Sequence, residues 1–426
     1  MQSPRTSNPE PRTSQPPCPH FGPCGGCQLQ HLTYPAQLAL KAAHLRTLLD
    51  AAELTLPELQ IHASPPLAYR NRIRLTLAEV AGQLRAGYFT STPEPANLGF
   101  LPITECPIAA PILWRTTEAL LALLNADPAL WLRNAQFKLD QLELFTAADE
   151  SALQFTLYLR TAAKSLPGKL TAAFPALCEA LRARIPELTG AGIALLPPIS
   201  AQRSRRTEVA KPGPTWGSPG LTYTVAPLEP RTPNLEPPLA YWLPRGAFFQ
   251  INRFLLPELL TLVTANRTGQ LAWDLYAGVG LFSRMLARSF GQVTANEIAE
   301  PAATALASTK LPNLRAVKAT TLDFLRAAVV ERDRPDLIVL DPPRSGAGAE
   351  VCALLGRIAA PTLIYVSCSP ETLPADLATL AASGYRIAEL HLFDLFPQTT
   401  HIETVAILEH GKQERGKQER GKQECP

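Results

Sequence analysis

No stretch of this 426-residue sequence approaches the ~18–20 consecutive apolar residues that a membrane span requires, so no membrane attachment is expected. The opening stretch, MQSPRTSNPEPRTSQPPCPH, lacks the apolar centre of a secretory signal and is polar and proline-rich instead. Neither sign of charge dominates: 40 basic against 37 acidic side chains leave a net charge of +3. A nucleic-acid partner would have to be held by local basic patches, not by an overall field. Cysteine is too thinly spread for a small disulfide-rich secreted domain, with eight residues at 18, 24, 27, 106, 178, 352, 368 and 425. Without an export signal a cytoplasmic location is expected, where clustered cysteines suggest metal and an isolated one can be catalytic. Global disorder is excluded, since 46% of the residues are hydrophobic and only 18% are charged.

What is present is a multidomain, loop-rich chain with 42 prolines. Residues 1–17 read as a disordered arm, and the run GKQERGKQERGKQECP at 411–426 as a solvated tail in which Cys425 is incidental. Apolar spacing predicts a helix from about Pro35 to Ala52, and alternation around a glycine predicts a hairpin over 69–90. Helices are expected near 112–125 and 169–184 with a strand at 155–160, while 186–240 gives no clear assignment. Residues 18–245 therefore read as a mixed α+β domain. From 246 to 410 the apolar segments LAWDLY, QVTANEI, LRAVKAT, DLIVLDPP and LIYVSC alternate with helical stretches. That pattern predicts an α/β, doubly wound domain on a parallel sheet covered on both faces.

In such a sheet, ligands bind beyond the carboxyl ends of the strands. Asp274-Leu-Tyr-Ala-Gly278-Val-Gly280 supplies a glycine turn, and Glu297, ending QVTANE, can accept both hydroxyls of a ribose. Asp341-Pro-Pro-Arg344 closes the strand DLIVL with a rigid exit that has no amide donors at its prolines. The turn lacks the Lys-Ser/Thr of a phosphate cradle, and Ser283 stands where a dinucleotide fingerprint has its third glycine. These features favour S-adenosylmethionine as cofactor. Cys368 lies in the turn Ser367-Cys-Ser-Pro370 before a helix, whose N-terminus is expected to favour a thiolate. His401 and Glu403 follow in FPQTTHIE. A thiolate near a methyl donor suggests addition to an unsaturated carbon, which makes the neighbouring carbon nucleophilic.

Taken in order, FFQIN (248–252), DLYAGVG, Asn296-Glu297, DPPRSG, YVSCSPETLPADL and DLFPQTTHIETV resemble the RNA uracil-C5 methyltransferases, across most of 18–409. The resemblance implies a class I S-adenosylmethionine-dependent domain over 246–410. Its substrate would be structured RNA, 23S ribosomal RNA or tRNA, and the product 5-methyluridine. It implies Cys368 as nucleophile toward C6 and Glu403 as base, with Gln250, Tyr276, Glu297 and Asp341 contacting the cofactor or the target base. Two positions depart from the family's pattern: Leu281 replaces a polar residue after the glycine turn, and Thr320 stands where an acid or amide meets the adenine.

Cys18, Cys24 and Cys27 are spaced C-x5-C-x2-C, with Cys106 alone in TECPI. Four thiolates can hold zinc or a 4Fe-4S cluster, and a zinc ribbon normally shows two C-x2-C knuckles where this chain has one. The resembled family carries a 4Fe-4S cluster on this pattern, which would make 18–245 an iron–sulfur and RNA-binding domain. Arg70, Arg72 and Arg74 beside Tyr69, with Arg203, Arg205, Arg206 and Lys211, are the expected RNA contacts. The short arm leaves no room for the additional RNA-binding module that often precedes the cluster in the ribosomal enzymes, and a monomer is expected. Two other readings stand beside this one. A cytosine-C5 methyltransferase shares the cysteine addition but leaves FP-x-T-x-H-x-E unexplained. A non-catalytic, metal-stapled RNA-binding protein leaves Cys368, Glu403 and Asp341 unexplained.

Overall fold

The computed structural model describes residues 15–90, 99–131, 137–163, 166–198, 209–225 and 239–411. The arm through residue 14, the basic group Arg203, Arg205 and Arg206, and the tail from 412 lie outside the described residues.

Helix α1 (Tyr34–Asp50) starts on Tyr34-Pro35, where a missing amide donor costs nothing. Its buried face carries Gln37 and Lys41 beside Ala42, Leu45 and Leu49. After β1 (Leu59–His62) come the hairpin strands β2 (Arg72–Val80) and β3 (Gln83–Phe89). Ala81 and Gly82 both take positive φ at their junction, the backbone that matches strand twist in a two-residue turn. There follow β4 (Phe100–Pro102), α2 (Pro111–Ala126), α3 (Pro128–Trp131), β5 (Lys138–Thr146), β6 (Leu153–Arg160), α4 (Gly168–Arg182), β7 (Leu188–Leu196) and β8 (Lys211–Gly217). The strands form one sheet in the order β4-β3-β2-β5-β6-β7-β8. Only β6 and β7 pair in parallel, with α4 as their crossover.

The unassigned stretch 186–240 thus holds β7, β8 and β9 (Gly220–Val225), and β10 (Leu239–Pro244) begins at its end. Its glycines hide the strand signal because backbone comes too close for a side chain. A Cβ on Gly190 would stand 2.3 Å from the Ser218 carbonyl oxygen.

The α/β region comprises α5 (Leu256–Thr264), β11 (Gly269–Leu275), α6 (Ser283–Leu286), β12 (Phe290–Asn296), α7 (Ala302–Ala307), β13 (Leu314–Val317), α8 (Thr321–Glu331), β14 (Leu337–Leu340), α9 (Ala349–Ile358), β15 (Thr362–Ser367), α10 (Leu373–Ala382), β16 (Tyr385–Phe393) and β17 (Glu403–His410). The large sheet runs β1-β16-β17-β15-β14-β11-β12-β13. Strands β13, β12, β11, β14 and β15 are mutually parallel, as their apolar alternation with helices requires. The sheet is nevertheless mixed, because β17 lies antiparallel between β15 and β16. A return beside the preceding strand needs only a loop, whereas another parallel strand would need a crossover helix.

Side chains of the central strands alternate between two cores. Ala272, Leu337, Val339 and Ile364 face α5 and the β9–β10 hairpin. Trp273, Ile338, Leu340 and Tyr365 face α1, α8, α9 and α10. With β1 on the outer edge beside β16, this sheet and its cores draw on chain from both sides of residue 245.

Candidate active site

The carboxyl ends of the parallel strands form one rim. There β11 runs out into Tyr276, β12 into Glu297, β14 into Asp341 and β15 into Cys368. Antiparallel β17 starts at the same rim with Glu403. Ser367 pairs with Thr404, so the next residues outward, Cys368 and Glu403, face each other across the two strands.

Cys368 is half-buried. Burial first, then Glu403 and Asp341, push its thiol up to about 11 against the opposing Arg344. The expected helix effect does not outweigh these, because α10 begins only at Leu373 while Glu403 and Asp341 both act on the thiol. In the protein alone, Cys368 is therefore a thiol. Glu403 is only 2% exposed, and burial together with Asp341 holds its carboxyl well above the usual range. Its Oε1 accepts no hydrogen bond among the described residues. Asp341 is pushed up to about 7 by burial and by Asp274.

Asp274 is itself buried and raised to about 7, even though the Ser283 amide donates to it at 2.8 Å and the Ser283 hydroxyl also bonds it. Burial outweighs those bonds, Glu297 adds to it, and Asp274 Oδ1 has no partner among the described residues. The rim is thus a row of carboxyl groups that suits a cationic ligand.

The glycine turn is built for close backbone approach. Tyr276, Gly278 and Gly280 have φ of 60°, 57° and 87°. A Cβ on Gly280 would meet Leu306 Cδ1 at 2.9 Å. Positive φ at a non-glycine such as Tyr276 is sparsely populated, and such residues cluster at ligand sites. Gly278 donates its amide to Glu297 Oε2 at 2.9 Å, and Ala299 to Oε1 at 2.6 Å, which fixes that carboxylate beside the turn. In the stretch LFSRMLARSF after the glycine turn, only the single turn α6 is helical, tied down where Ser283 meets Asp274.

At the two divergent positions, Leu281 is buried and its carbonyl accepts from the Tyr241 hydroxyl at 2.8 Å. Thr320 caps α8 by accepting from the Asp323 amide at 3.1 Å. Gln250 is buried, and its carbonyl accepts from Asn71 Nδ2 at 3.0 Å. Its side chain makes no hydrogen bond to the rim among the described residues.

Cys368 opens onto a cleft of about 470 Å³, shared with Leu29, Lys41, His44, Arg344 and His401. That is the size range of small-ligand sites. Burial, then Arg344, Lys41 and Arg70, hold His401 below its ordinary pKa, so it is neutral at pH 7.

Cys18, Cys24, Cys27 and Cys106 converge on a second cavity, of about 200 Å³. The first three share one loop, and Cys106 arrives from the connection between β4 and α2. Burial pushes the Cys27 and Cys106 thiols up to about 11 and raises Cys18, with the other thiols adding repulsion in each case. Among the described residues, no group of three His, Cys, Asp or Glu side chains is placed to hold a metal ion.

Arg70 and Arg74 also line this cavity. Tyr69 offers no stacking ring: it is fully buried and donates its hydroxyl to the Pro397 carbonyl at 3.0 Å. Arg72 and Arg74 lie over the Phe145 and Tyr158 rings at 4.4 and 4.1 Å, and both approach Glu143. Sequence reasoning missed the buried pair Lys41–Asp394 at 2.6 Å. Polar residues on the buried stripe of α1 were its only signal.

Residues 236–411 match the family model for tRNA (Uracil-5-)-methyltransferase. Over 412 residues the chain is 30% identical to the 23S rRNA (uracil(1939)-C(5))-methyltransferase RlmD of Pseudomonas putida, covering 94% of this chain and 81% of that protein. The enzyme of the same description from Chromohalobacter salexigens is 31% identical over 407 residues, covering 93% and 77%. The crystal structure of Pyrococcus abyssi tRNA (uracil-54, C5)-methyltransferase in complex with S-adenosyl-L-homocysteine shares the fold. Its TM-score is 0.66 at 22% identity, covering 91% of this chain and 86% of that one.

Proposed function

Because the chain belongs to the RNA uracil-C5 methyltransferase family, whose members use S-adenosylmethionine, we propose that it methylates a uridine of structured RNA through a covalent Cys368–C6 adduct. Ribosomal RNA is favoured over tRNA, since the Pseudomonas putida and Chromohalobacter salexigens relatives, at 30% and 31% identity, are both named for 23S rRNA. The observation that carries the mechanism is the placement of Cys368 opposite Glu403 on adjacent strands at the rim.

The cofactor fits the chemistry of that rim. Partnerless oxygens of Asp274 and Glu403, and the raised Asp341, favour a cation. Tyr276, Glu297, Asp341 and Gln250 are the residues assigned to hold it and the target base. S-adenosylmethionine, when bound, supplies an electrophilic methyl on a sulfonium.

The remaining chemistry belongs to the chain. Uracil C5 is a poor nucleophile, so the target base must first be activated. The Cys368 sulfur adds to C6, and the C5=C6 electrons move toward the C4 oxygen, giving an enolate with density on C5. The thiol proton leaves as the sulfur attacks, and the Asp341 carboxylate beside the thiol is the acceptor. Once C5 carries the methyl group, Glu403 takes the C5 proton. The C6–S bond then breaks and returns the sulfur to Cys368. The balance is one methyl gained and one proton lost by the base. To reach the thiol the uridine must leave its stack and enter the cleft.

The four cysteines are the proposed ligands of a 4Fe-4S cluster. All four line the cavity of about 200 Å³. No step above needs an electron from it.

RNA carrying 5-fluorouridine tests the mechanism, because fluorine cannot leave as a proton does. A permanent protein–RNA link mapped to Cys368 by peptide mass spectrometry is expected. Glu403→Gln should trap the same link on ordinary RNA, with the methyl already transferred. A link at another cysteine, or full turnover by Cys368→Ala, overturns the assignment.

A further inference from the structure

The segment 394–402, which delivers His401 and Glu403 to the rim, is irregular and is held from outside its own sheet. The amides of Gln28 and Leu29, the two residues after Cys27, both donate to the Gln398 carbonyl at 3.0 Å. Gln398 has φ of 69° and is buried. Its side chain and backbone form a reciprocal pair with Gln37 of α1: Gln37 Nε2 donates to Gln398 Oε1 at 2.9 Å, and the Gln398 amide donates to Gln37 Oε1 at 3.0 Å. Lys41 adds the Phe396 carbonyl and Asp394, and Tyr69 the Pro397 carbonyl. All these donors and acceptors outside the segment fall within residues 28–69.

We propose that the cysteine centre and α1 form a clamp that positions the catalytic-base segment, with Gln37 as its positioning residue and Gln28-Leu29 as the link from the centre. The physical reason lies in the chain path. Cys27 is bonded directly to Gln28 and lies two residues before Leu29, whose amides grip Gln398, so fixing the four cysteines fixes those donors. Glu403 itself sits five residues further on, where β17 begins. The centre then acts on proton removal from C5, and neither on cofactor binding nor as an electron carrier. This rests on the reading above for the cluster held by the four cysteines and for the step that Glu403 performs.

The test compares the full-length protein as purified, the same protein after chelator treatment, Cys27→Ser and Gln37→Glu. The last variant keeps the acceptor for the Gln398 amide and loses the donor to Gln398 Oε1. Amide hydrogen exchange over 394–403 should rise about fivefold in all three altered forms, the equivalent of about one net hydrogen bond. S-adenosylhomocysteine affinity should stay within about twofold, since the glycine turn is untouched. In single turnover the altered forms should accumulate methylated covalent RNA adduct, because base removal is the slowed step. Gln37→Glu should do so with its metal content unchanged. Unaltered exchange at 394–403 together with weakened RNA binding would overturn the clamp and make the centre an RNA contact. If 5-fluorouridine RNA forms no link to Cys368, the mechanism fails, while the exchange result still decides the clamp.

Discussion

The carboxyl row at the strand rim makes a prediction that separates the methyl donor from its product. In the proposed mechanism C6 is bonded to Cys368 and the C5 proton goes to Glu403, so a methyl donor serving C5 would bring its sulfonium close to Asp341 and Glu403. At ~5 Å and an effective dielectric of ~20, a positive charge stabilises a carboxylate by about 3 kcal/mol, or roughly two pKa units. Asp341 starts at about 7. Bound sulfonium would therefore take it to roughly 5.

The sign follows from linkage. Below pH 7 the free protein holds the Asp341 proton, and sulfonium binding must expel it. Affinity for S-adenosylmethionine should thus fall about tenfold per pH unit between ~7 and ~5 and level off outside that window. S-adenosylhomocysteine carries no sulfonium and should bind with a nearly flat profile. Calorimetry at pH 6, in two buffers of different ionisation heat, should count close to one more proton released with the sulfonium ligand than with the thioether. Asp341→Asn should remove that difference and weaken the donor, not the product, by up to ~100-fold at pH 8. Equal proton release and parallel pH profiles for the two ligands would refute the charge argument and place the sulfonium away from Asp341.

Two further outcomes probe the amino-terminal half. Lys41→Ala leaves Asp394 buried and unpaired, which should cost about 3–5 kcal/mol in denaturant unfolding, while Lys41→Met combined with Asp394→Leu should recover most of it. Protein purified without oxygen should contain about four irons per chain by colorimetric assay, and Cys106→Ser should lose iron and solubility, whereas stoichiometric zinc without iron would exclude the cluster.

Much of the α/β region was legible because its strands are buried on both faces, so LIVL and TLIYVS read as apolar runs wherever they are met. The direction of β17 was not legible, since a buried strand carries the same apolar signal whichever way it runs. Tyr69 reads as a partner of the alternating arginines, but it precedes β2 and turns inward to Pro397. Of the candidate site, the residues with unusual chemistry stand out in the sequence: Cys368, Glu403, Asp341 and the cysteine triplet. Their protonation states do not. The Cys368 turn suggests a thiolate, and only the packing of Glu403 and Asp341 against it shows a thiol. The clamp left almost no trace, because its strongest contacts come from backbone amides and from glutamines of the kind usually found on surfaces.

The antiparallel strand gives the mixed sheet a distinct way to place a residue at the rim. A parallel strand delivers to the rim the residue at its carboxyl end, and its next connection must leave at once toward a crossover helix. Strand β17 delivers its first residue instead, so Glu403 is backed by a full strand paired on both sides, with Ser367–Thr404 on one flank and Phe393–Glu403 on the other. The carboxyl group is thereby fixed beside the thiol more firmly than a loop residue could be. The cost moves to the approach segment, 394–402, which crosses the rim without a sheet or helix of its own. Its carbonyls at 396, 397 and 398 need donors, and burial makes an unmet carbonyl expensive. Thr399 of the segment serves the Phe396 carbonyl, and the donors from outside it are Lys41, Tyr69, Gln28 and Leu29, all from the amino-terminal part of the chain. A rim assembled in this way ties the two halves of the protein together at the segment that precedes Glu403.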